Sequence, residues 1–202
     1  MSLRDRRIID LLSKYYEKCN YMGIPTIRWS EGLILYSIAY TYLTTSNNMK
    51  GYIVDAGAGA GFSTIWFVYA VKDAGTNHVV VAIDYYKRNL DMFKELVEKL
   101  DINVRIETIA GDACQVLREY PEKLDILFID VEKHKYIECI DAAKDRIKRN
   151  GIVLAHNVIF PYTPVVEKYI KYLSEILKWK TTIIPTEMGI GVSVKLSKHG
   201  EQ

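Results

Sequence analysis

A chain of 202 residues has room for one α/β domain with a full core and little besides. Its composition, 49% hydrophobic and 26% charged, excludes the disordered and fibrous classes. The 27 basic and 25 acidic residues, a net charge of +2, are spread along the whole length, which excludes the basic block that anchors nucleic acid or anionic lipid. A small-molecule partner is expected, and nucleic acid is not. Cys19, Cys114 and Cys139 are odd in number, widely spaced and never in a CxxC pair, so neither a disulfide framework nor a zinc site is expected, and a reducing, cytoplasmic compartment follows. Met1–Asp10 carries Arg4, Asp5, Arg6 and Arg7 with no apolar stretch behind them, and no apolar run approaches the roughly 18 residues of a membrane span. Neither export nor membrane insertion is expected.

In chain order, Arg4–Lys18 and Ser30–Thr44 have the spacing of amphipathic helices, the second with Ser30 as a candidate N-cap. Short β-rich runs follow at Tyr52–Asp55, His78–Asp84, Val104–Ile109, Asp125–Asp130 and Ile152–His156, separated by longer stretches of helical spacing. Repeated βαβ units predict five parallel strands. Thr181–Ile184 and Ile190–Leu196 are joined by so short a loop that they must pair antiparallel, as a closing hairpin. The chain therefore reads as one domain: residues 1–48 are helices forming a lid or dimer surface, and 49–197 are the sheet-bearing core.

The strongest local signal is Val54-Asp55-Ala56-Gly57-Ala58-Gly59-Ala60-Gly61-Phe62-Ser63, where the first strand hands over to a helix beginning near Thr64. Alternate glycines let a ligand touch the backbone, although they also permit tight strand-to-helix packing. The second strand ends in Asp84, roughly 25 residues on, where a ribose diol needs an acceptor. Nicotinamide-binding proteins share that acid, but they favour G-x-G-x-x-G and keep the helix N-terminus free for a pyrophosphate. Asp55, directly before the glycines, would repel phosphate but suits the cationic sulfonium and ammonium groups of S-adenosylmethionine (SAM). These residues favour the methyl donor.

Further markers follow in order: Ile109-Ala110-Gly111-Asp112-Ala113 after the third strand, Leu127-Phe128-Ile129-Asp130-Val131-Glu132-Lys133-His134-Lys135-Tyr136 after the fourth, and Gly151-Ile152-Val153-Leu154-Ala155-His156-Asn157-Val158 around the fifth. With them the sequence resembles the SAM-dependent O-methyltransferases related to catechol and caffeoyl-coenzyme-A O-methyltransferases, from about Ile24 to Leu196. The resemblance implies an α/β, Rossmann-like class I methyltransferase fold. Its seven-stranded, mostly parallel sheet would have order 3-2-1-4-5-7-6, with strand 7 antiparallel, helices on both faces, and a homodimer as the assembly.

Carried over by position, the resemblance implies that Asp55 and the loop of Gly57, Gly59 and Gly61 hold the methionine end of SAM, with Ser63 capping nearby. Asp84 would take the ribose hydroxyls, and Asp112 and Ala113 would flank the adenine, in a cofactor site that also includes Asp130. Structural roles stand beside these: Asp112 as the N-cap of a helix over Cys114–Tyr120, and Asp84 as a solvated strand end. The resemblance also implies a divalent metal held by an Asp after the fourth strand and an Asp-Asn pair after the fifth. Here Asp130 and Asn157 match, but His156 stands where the pattern has Asp. Imidazole in that place shifts preference from Mg toward Mn, Zn or Fe, or to no metal. Lys133 matches a lysine implied to help deprotonate the acceptor, with Tyr136 one turn on, and a plain counter-charge is the alternative. His156 has three readings, as metal ligand, general base or hydrogen-bonded strand end.

The acceptor is expected to be a small hydroxylated molecule. Tyr21, Trp29, Phe160 and Tyr162 are candidates to stack a phenolic ring, with ordinary packing as the alternative. The family's acidic residue between two glycines near the hairpin is missing, since Gly189-Ile190-Gly191 has Glu187 displaced toward the loop. Two rival readings stand beside small-molecule methylation. One is a methyltransferase acting on protein or nucleic acid, guided by a basic helix face of Lys144, Arg146, Lys148 and Arg149. The other is a SAM-binding protein without catalysis.

Overall fold

Runs of mainly apolar residues form central strands that are buried on both faces, as a covered parallel sheet demands, and the carboxylates within them, Asp55 and Asp125, are buried as well. The computed structural model describes residues 6–196. Its elements are α1 (Arg6–Tyr21), α2 (Trp29–Thr45), β1 (Tyr52–Ala56), α3 (Thr64–Ala74), β2 (Val79–Asp84), α4 (Lys87–Leu100), β3 (Ile106–Ala110) and α5 (Ala113–Glu119). After these come β4 (Leu124–Ile129), a 3₁₀ turn (Lys133–Lys135), α6 (Tyr136–Ala143), β5 (Ile147–Ala155), α7 (Pro164–Lys171) with a π-helical end (Tyr172–Ile176), β6 (Lys180–Ile184) and β7 (Ile190–Val194). Arg4 and Asp5 of the expected first helix, and Ser197 at the end of the expected core, lie outside the described residues.

The sheet order is β3-β2-β1-β4-β5-β7-β6, with β7 antiparallel to both neighbours and all other pairs parallel. This is the expected seven-stranded topology. Alternation along the strands feeds two cores: Ile53, Ile126 and Phe128 face α1 to α4, while Val54, Leu127 and Ile129 face α5 to α7. The N-terminal helices belong to the first of these layers. A Cβ on Gly32 of α2 would sit 2.1 Å from the Trp66 indole of α3, so glycine is what allows the two helices to approach this closely.

Four expectations change. Ser30 lies inside α2, whose N-cap is Arg28; the Arg28 amide donates to the Glu31 carboxylate (2.9 Å). The fifth strand begins at Ile147 rather than Ile152, because Ile147 pairs with Leu124 ahead of a register shift, and His156 falls just beyond its end. The four basic residues share no helix face. Lys144 ends α6 beside Asp141, Arg146 donates to the carbonyls of Leu117 and Ala142, and Lys148 on β5 pairs with Asp125 at 2.7 Å. Finally, Cys114 and Cys139 form a disulfide joining α5 to α6, leaving Cys19 free and buried. Spacing in sequence hid this pair because only the packing of α5 on α6 brings the two residues together. The argument for a reducing compartment therefore loses its basis.

No helix among the described residues is long and apolar enough to cross a membrane.

Candidate active site

The carboxyl ends of β1, β2 and β4 open onto a cleft of about 240 Å³, the place where parallel α/β sheets bind ligands. Gly57, Gly59, Asp84, Tyr85, Ala113 and Asp130 line it. The three loop glycines have different jobs. A Cβ on Gly57 would lie 2.2 Å from the Asp130 carbonyl, and one on Gly61 would lie 2.2 Å from the Phe93 ring, so these two are fixed by packing against β4 and α4. Gly59 (φ +53°) has no protein atom within 3.5 Å of its would-be Cβ and faces the open cleft.

Asp84 is held from three sides. Its Oδ2 accepts the Gly59 amide (3.0 Å), and its Oδ1 accepts the Tyr86 amide (2.9 Å) and Asn89 Nδ2 (3.1 Å). Two carboxylate oxygens offer about four lone-pair sites, so a position remains for a ligand hydroxyl. Asp55 is fully buried beneath the loop, and its Oδ2 accepts the hydroxyls of Ser63 and Thr64, each at 2.6 Å. Those hydroxyls tie β1 to the start of α3. Its other oxygen, Oδ1, is buried without a partner, and burial pushes the carboxyl up to about 7 despite the two hydroxyls.

At the far end of the cleft Asp112 is the N-cap of α5, accepting the Gln115 amide on Oδ1 (3.0 Å). Its Oδ2 accepts Lys135 Nζ at 2.6 Å and the Tyr85 hydroxyl. The Lys135 and Tyr85 hydrogen bonds hold the Asp112 carboxyl well below the usual range. The helix-cap role expected for Asp112 is present, and its acceptor atoms are already engaged by the protein.

The opposite end gathers residues from four elements. His156, just past β5, has Nε2 2.9 Å from Glu31 Oε2 and Nδ1 3.3 Å from Asp130 Oδ2. Glu31 is fully buried and also accepts the Thr186 hydroxyl on Oε1 (2.8 Å). Burial alone would raise Glu31 and lower His156, but their hydrogen bonds outweigh it, so the carboxyl is driven down and the imidazole up. The buried Tyr136 hydroxyl donates to the His156 carbonyl (2.7 Å) and fixes that backbone. Lys133 donates to the Pro161 carbonyl (2.6 Å), and partial burial lowers its pKa. Asn157, in the left-handed region (φ 54°), follows His156. A carboxylate oxygen stands beside each ring nitrogen of His156, the arrangement of the hydrogen-bonded strand end among its three readings.

Residues 54–158 match the family profile described as a methyltransferase domain. The chain belongs to this family. Among curated relatives it is 26% identical over 108 residues to a catechol O-methyltransferase of Mycobacterium tuberculosis, covering 53% of this chain and 48% of the relative. It is 25% identical over 162 residues to caffeoyl-CoA O-methyltransferase 2 of Petunia hybrida, covering 74% and 63%. The chain thus spans about half the length of the first and less than two thirds of the second. Solved structures share the fold. A methyltransferase from Geobacter sulfurreducens superposes with a TM-score of 0.78 at 20% identity, covering 93% of this chain and 90% of that one. An O-methyltransferase from Bacillus cereus in complex with SAH does so at 0.77 and 17% identity, covering 92% and 90%.

Two parts of this family member's cleft escape a motif search. Glu31 is the only charged residue in Trp29–Thr45, and a lone carboxylate in so apolar a helix is a signal that it has a buried partner. The Lys135–Tyr85–Asp112 cluster left no comparable trace, since its members come from three separate loops. Of the aromatic candidates, Trp29 packs on Phe62 and Trp66, whereas Tyr21, Phe160 and Tyr162 are exposed.

Proposed function

We propose that this chain methylates a hydroxyl group of a small acceptor, using S-adenosylmethionine bound in the cleft at the ends of β1, β2 and β4. The observation that carries this reading is Asp84, a carboxylate fixed by the Gly59 and Tyr86 amides and facing the cleft beside the unobstructed Gly59. When bound, SAM supplies a methyl carbon that leaves sulfur with the C–S pair retained on sulfur and bonds to the acceptor oxygen, whose proton departs to a base or to solvent.

Asp84 would take the ribose hydroxyls, and Gly59 would lie against the methionine end. Ala113 and Tyr85 would bound the adenine, with Asp112 acting through Tyr85 and Lys135 rather than by direct contact. Gly57, Gly61, Ser63 and Asp55 shape the loop from behind. The acidic lining of Asp84, Asp130 and Glu132 suits a ligand carrying a sulfonium and an ammonium. Lys133 would serve as the counter-charge at the acceptor mouth.

A small acceptor is favoured over nucleic acid because the basic residues on α6 and β5 are neutralised by carboxylates or spent on carbonyls. The resemblance further supports a homodimer, which light scattering would measure. Calorimetry with S-adenosylhomocysteine, followed by labelled-methyl transfer from SAM to a panel of phenols and alcohols, tests the proposal. Saturable binding with transfer to low-mass acceptors is the expected result. Binding without transfer to any hydroxyl would reject catalysis and retain cofactor binding alone.

A further inference from the structure

Glu31 from the first turn of α2, Asp130 after β4 and His156 after β5 meet at one end of the cleft, and they do so through a single imidazole ring. Carboxylate oxygens carry lone pairs only, so a ring nitrogen facing one must donate, and a ring facing two must donate from both. Glu31 is sealed from solvent and the His156 side chain is 7% exposed, a setting in which an ionised carboxylate requires a cation beside it. The ring is that cation. The donors implied by the family resemblance, Asp130, position 156 and Asn157, therefore do not fit a divalent metal. Among the described residues no three His, Cys, Asp or Glu side chains are arranged to hold one.

We propose that His156, clamped between Glu31 and Asp130, is the fixed cation of this site in place of a divalent metal, leaving Asp130 to accept a hydrogen bond directly from the acceptor's hydroxyl. This rests on the methyl-transfer reading above. Asp130 lines the cleft with its side chain 26% exposed, so it is within reach of an acceptor, whereas Glu31 and His156 act through it as positioning residues. A carboxylate in this place needs one hydroxyl donor from the acceptor, whereas a chelating metal would engage its oxygens directly.

The test begins with S-adenosylhomocysteine calorimetry on the full chain; absence of binding there would sink the methyl-transfer reading and leave the metal question to the following arms. Mn²⁺ and Zn²⁺ are then titrated into the wild type and His156→Asp, followed by calorimetry and, for Mn²⁺, by electron paramagnetic resonance. The wild type should show no saturable site, and His156→Asp, which restores a carboxylate, should gain one Mn²⁺ per chain. Should that variant fail to fold, nitrogen-15 spectra of wild-type His156 decide the matter: both ring nitrogens are expected to carry protons at neutral pH, and Glu31→Gln should release one. A stoichiometric metal on the wild type, or a His156 ring with one bare nitrogen at neutral pH, would overturn the proposal.

Discussion

Glu31 Oε2 and His156 Nε2 lie 2.9 Å apart although 125 positions separate them in the chain, and both side chains are buried. This contact ties α2 to the end of β5 and sets a pH window for stability. The His156 pKa is raised from 6.5 to about 9, so its contribution is complete below pH 6.5 and is lost as the pH rises through 9. The Glu31 pKa is lowered from 4.5 to about 2, so its contribution is complete above pH 4.5 and is lost as the pH falls through 2. Both are therefore in full force between these limits, from pH 4.5 to 6.5. Removing one partner of a buried pair costs roughly 3–5 kcal/mol. Glu31→Ala should show a loss of that size in urea unfolding at pH 6, shrinking toward pH 9. A loss that stays constant across that range would contradict the pairing.

The loop glycines separate by what surrounds them. Gly61→Ala puts a methyl group into the Phe93 ring and should destabilise the fold by about 1–3 kcal/mol, as overpacking does, with less change in cofactor affinity. Gly59→Ala carries the same positive-φ strain but meets no protein atom closely, so it should cost less stability than Gly61→Ala while its methyl group in the cleft weakens S-adenosylhomocysteine binding. Thermal unfolding and calorimetry on both variants check this. Equal loss of stability in the two would remove the distinction.

The sheet was legible because its strands are the apolar, β-branched runs that a doubly covered parallel sheet needs, and the hairpin because Pro185 to Gly189 is too short for a crossover. The place of Asp84 at the mouth of the cleft was legible because a strand end is a local fact. His156 stood out as a departure from a pattern, but its role was not legible, since that depends on Glu31, which arrives from a helix outside the sheet. The Cys114–Cys139 bridge was missed for the same reason: which helices pack together is fixed by the whole fold, not by spacing. Likewise Lys144, Arg146, Lys148 and Arg149 read as one basic helix face because charge density alone does not reveal that Lys148 lies on β5 and pairs with Asp125.

Asp84→Ala should weaken S-adenosylhomocysteine binding by roughly 1.5–3 kcal/mol, the range for a hydrogen bond to a charged acceptor. Because Asp84 also holds the Gly59 and Tyr86 amides, part of the loss would come from a loosened loop. Asp84→Asn separates the two effects: its remaining oxygen can still take one of those amides, while the charge is gone. Unchanged affinity in Asp84→Ala would remove this residue from the cofactor site.

The disulfide closes a chain segment between positions 25 apart. By loop-closure entropy a bridge of that span stabilises the fold by about 3 kcal/mol. Reduction, or a double Cys114→Ser and Cys139→Ser replacement, should lower the urea midpoint accordingly. The effect should also reach the cleft, since Ala113 lines it and adjoins Cys114. No change in midpoint on reduction would show that the bridge does not form in solution.

Asp55 makes a pH prediction of the opposite sign to the usual carboxylate. Its folded pKa is raised from 3.8 to about 7 because burial disfavours the charge more than Ser63 and Thr64 favour it. The folded state then binds more protons than the unfolded chain between those values, so stability falls as the pH rises from about 4 to 7 and the cost is complete above 7. Asp55→Asn keeps an oxygen to accept the two hydroxyls and removes the charge, so the variant should lack this decline. Its melting temperature relative to wild type should therefore climb across that interval and level off above it. A difference between the two curves that stays flat from pH 4 to 7 would mean that Asp55 is ionised throughout, stabilised by something other than the hydroxyls of α3.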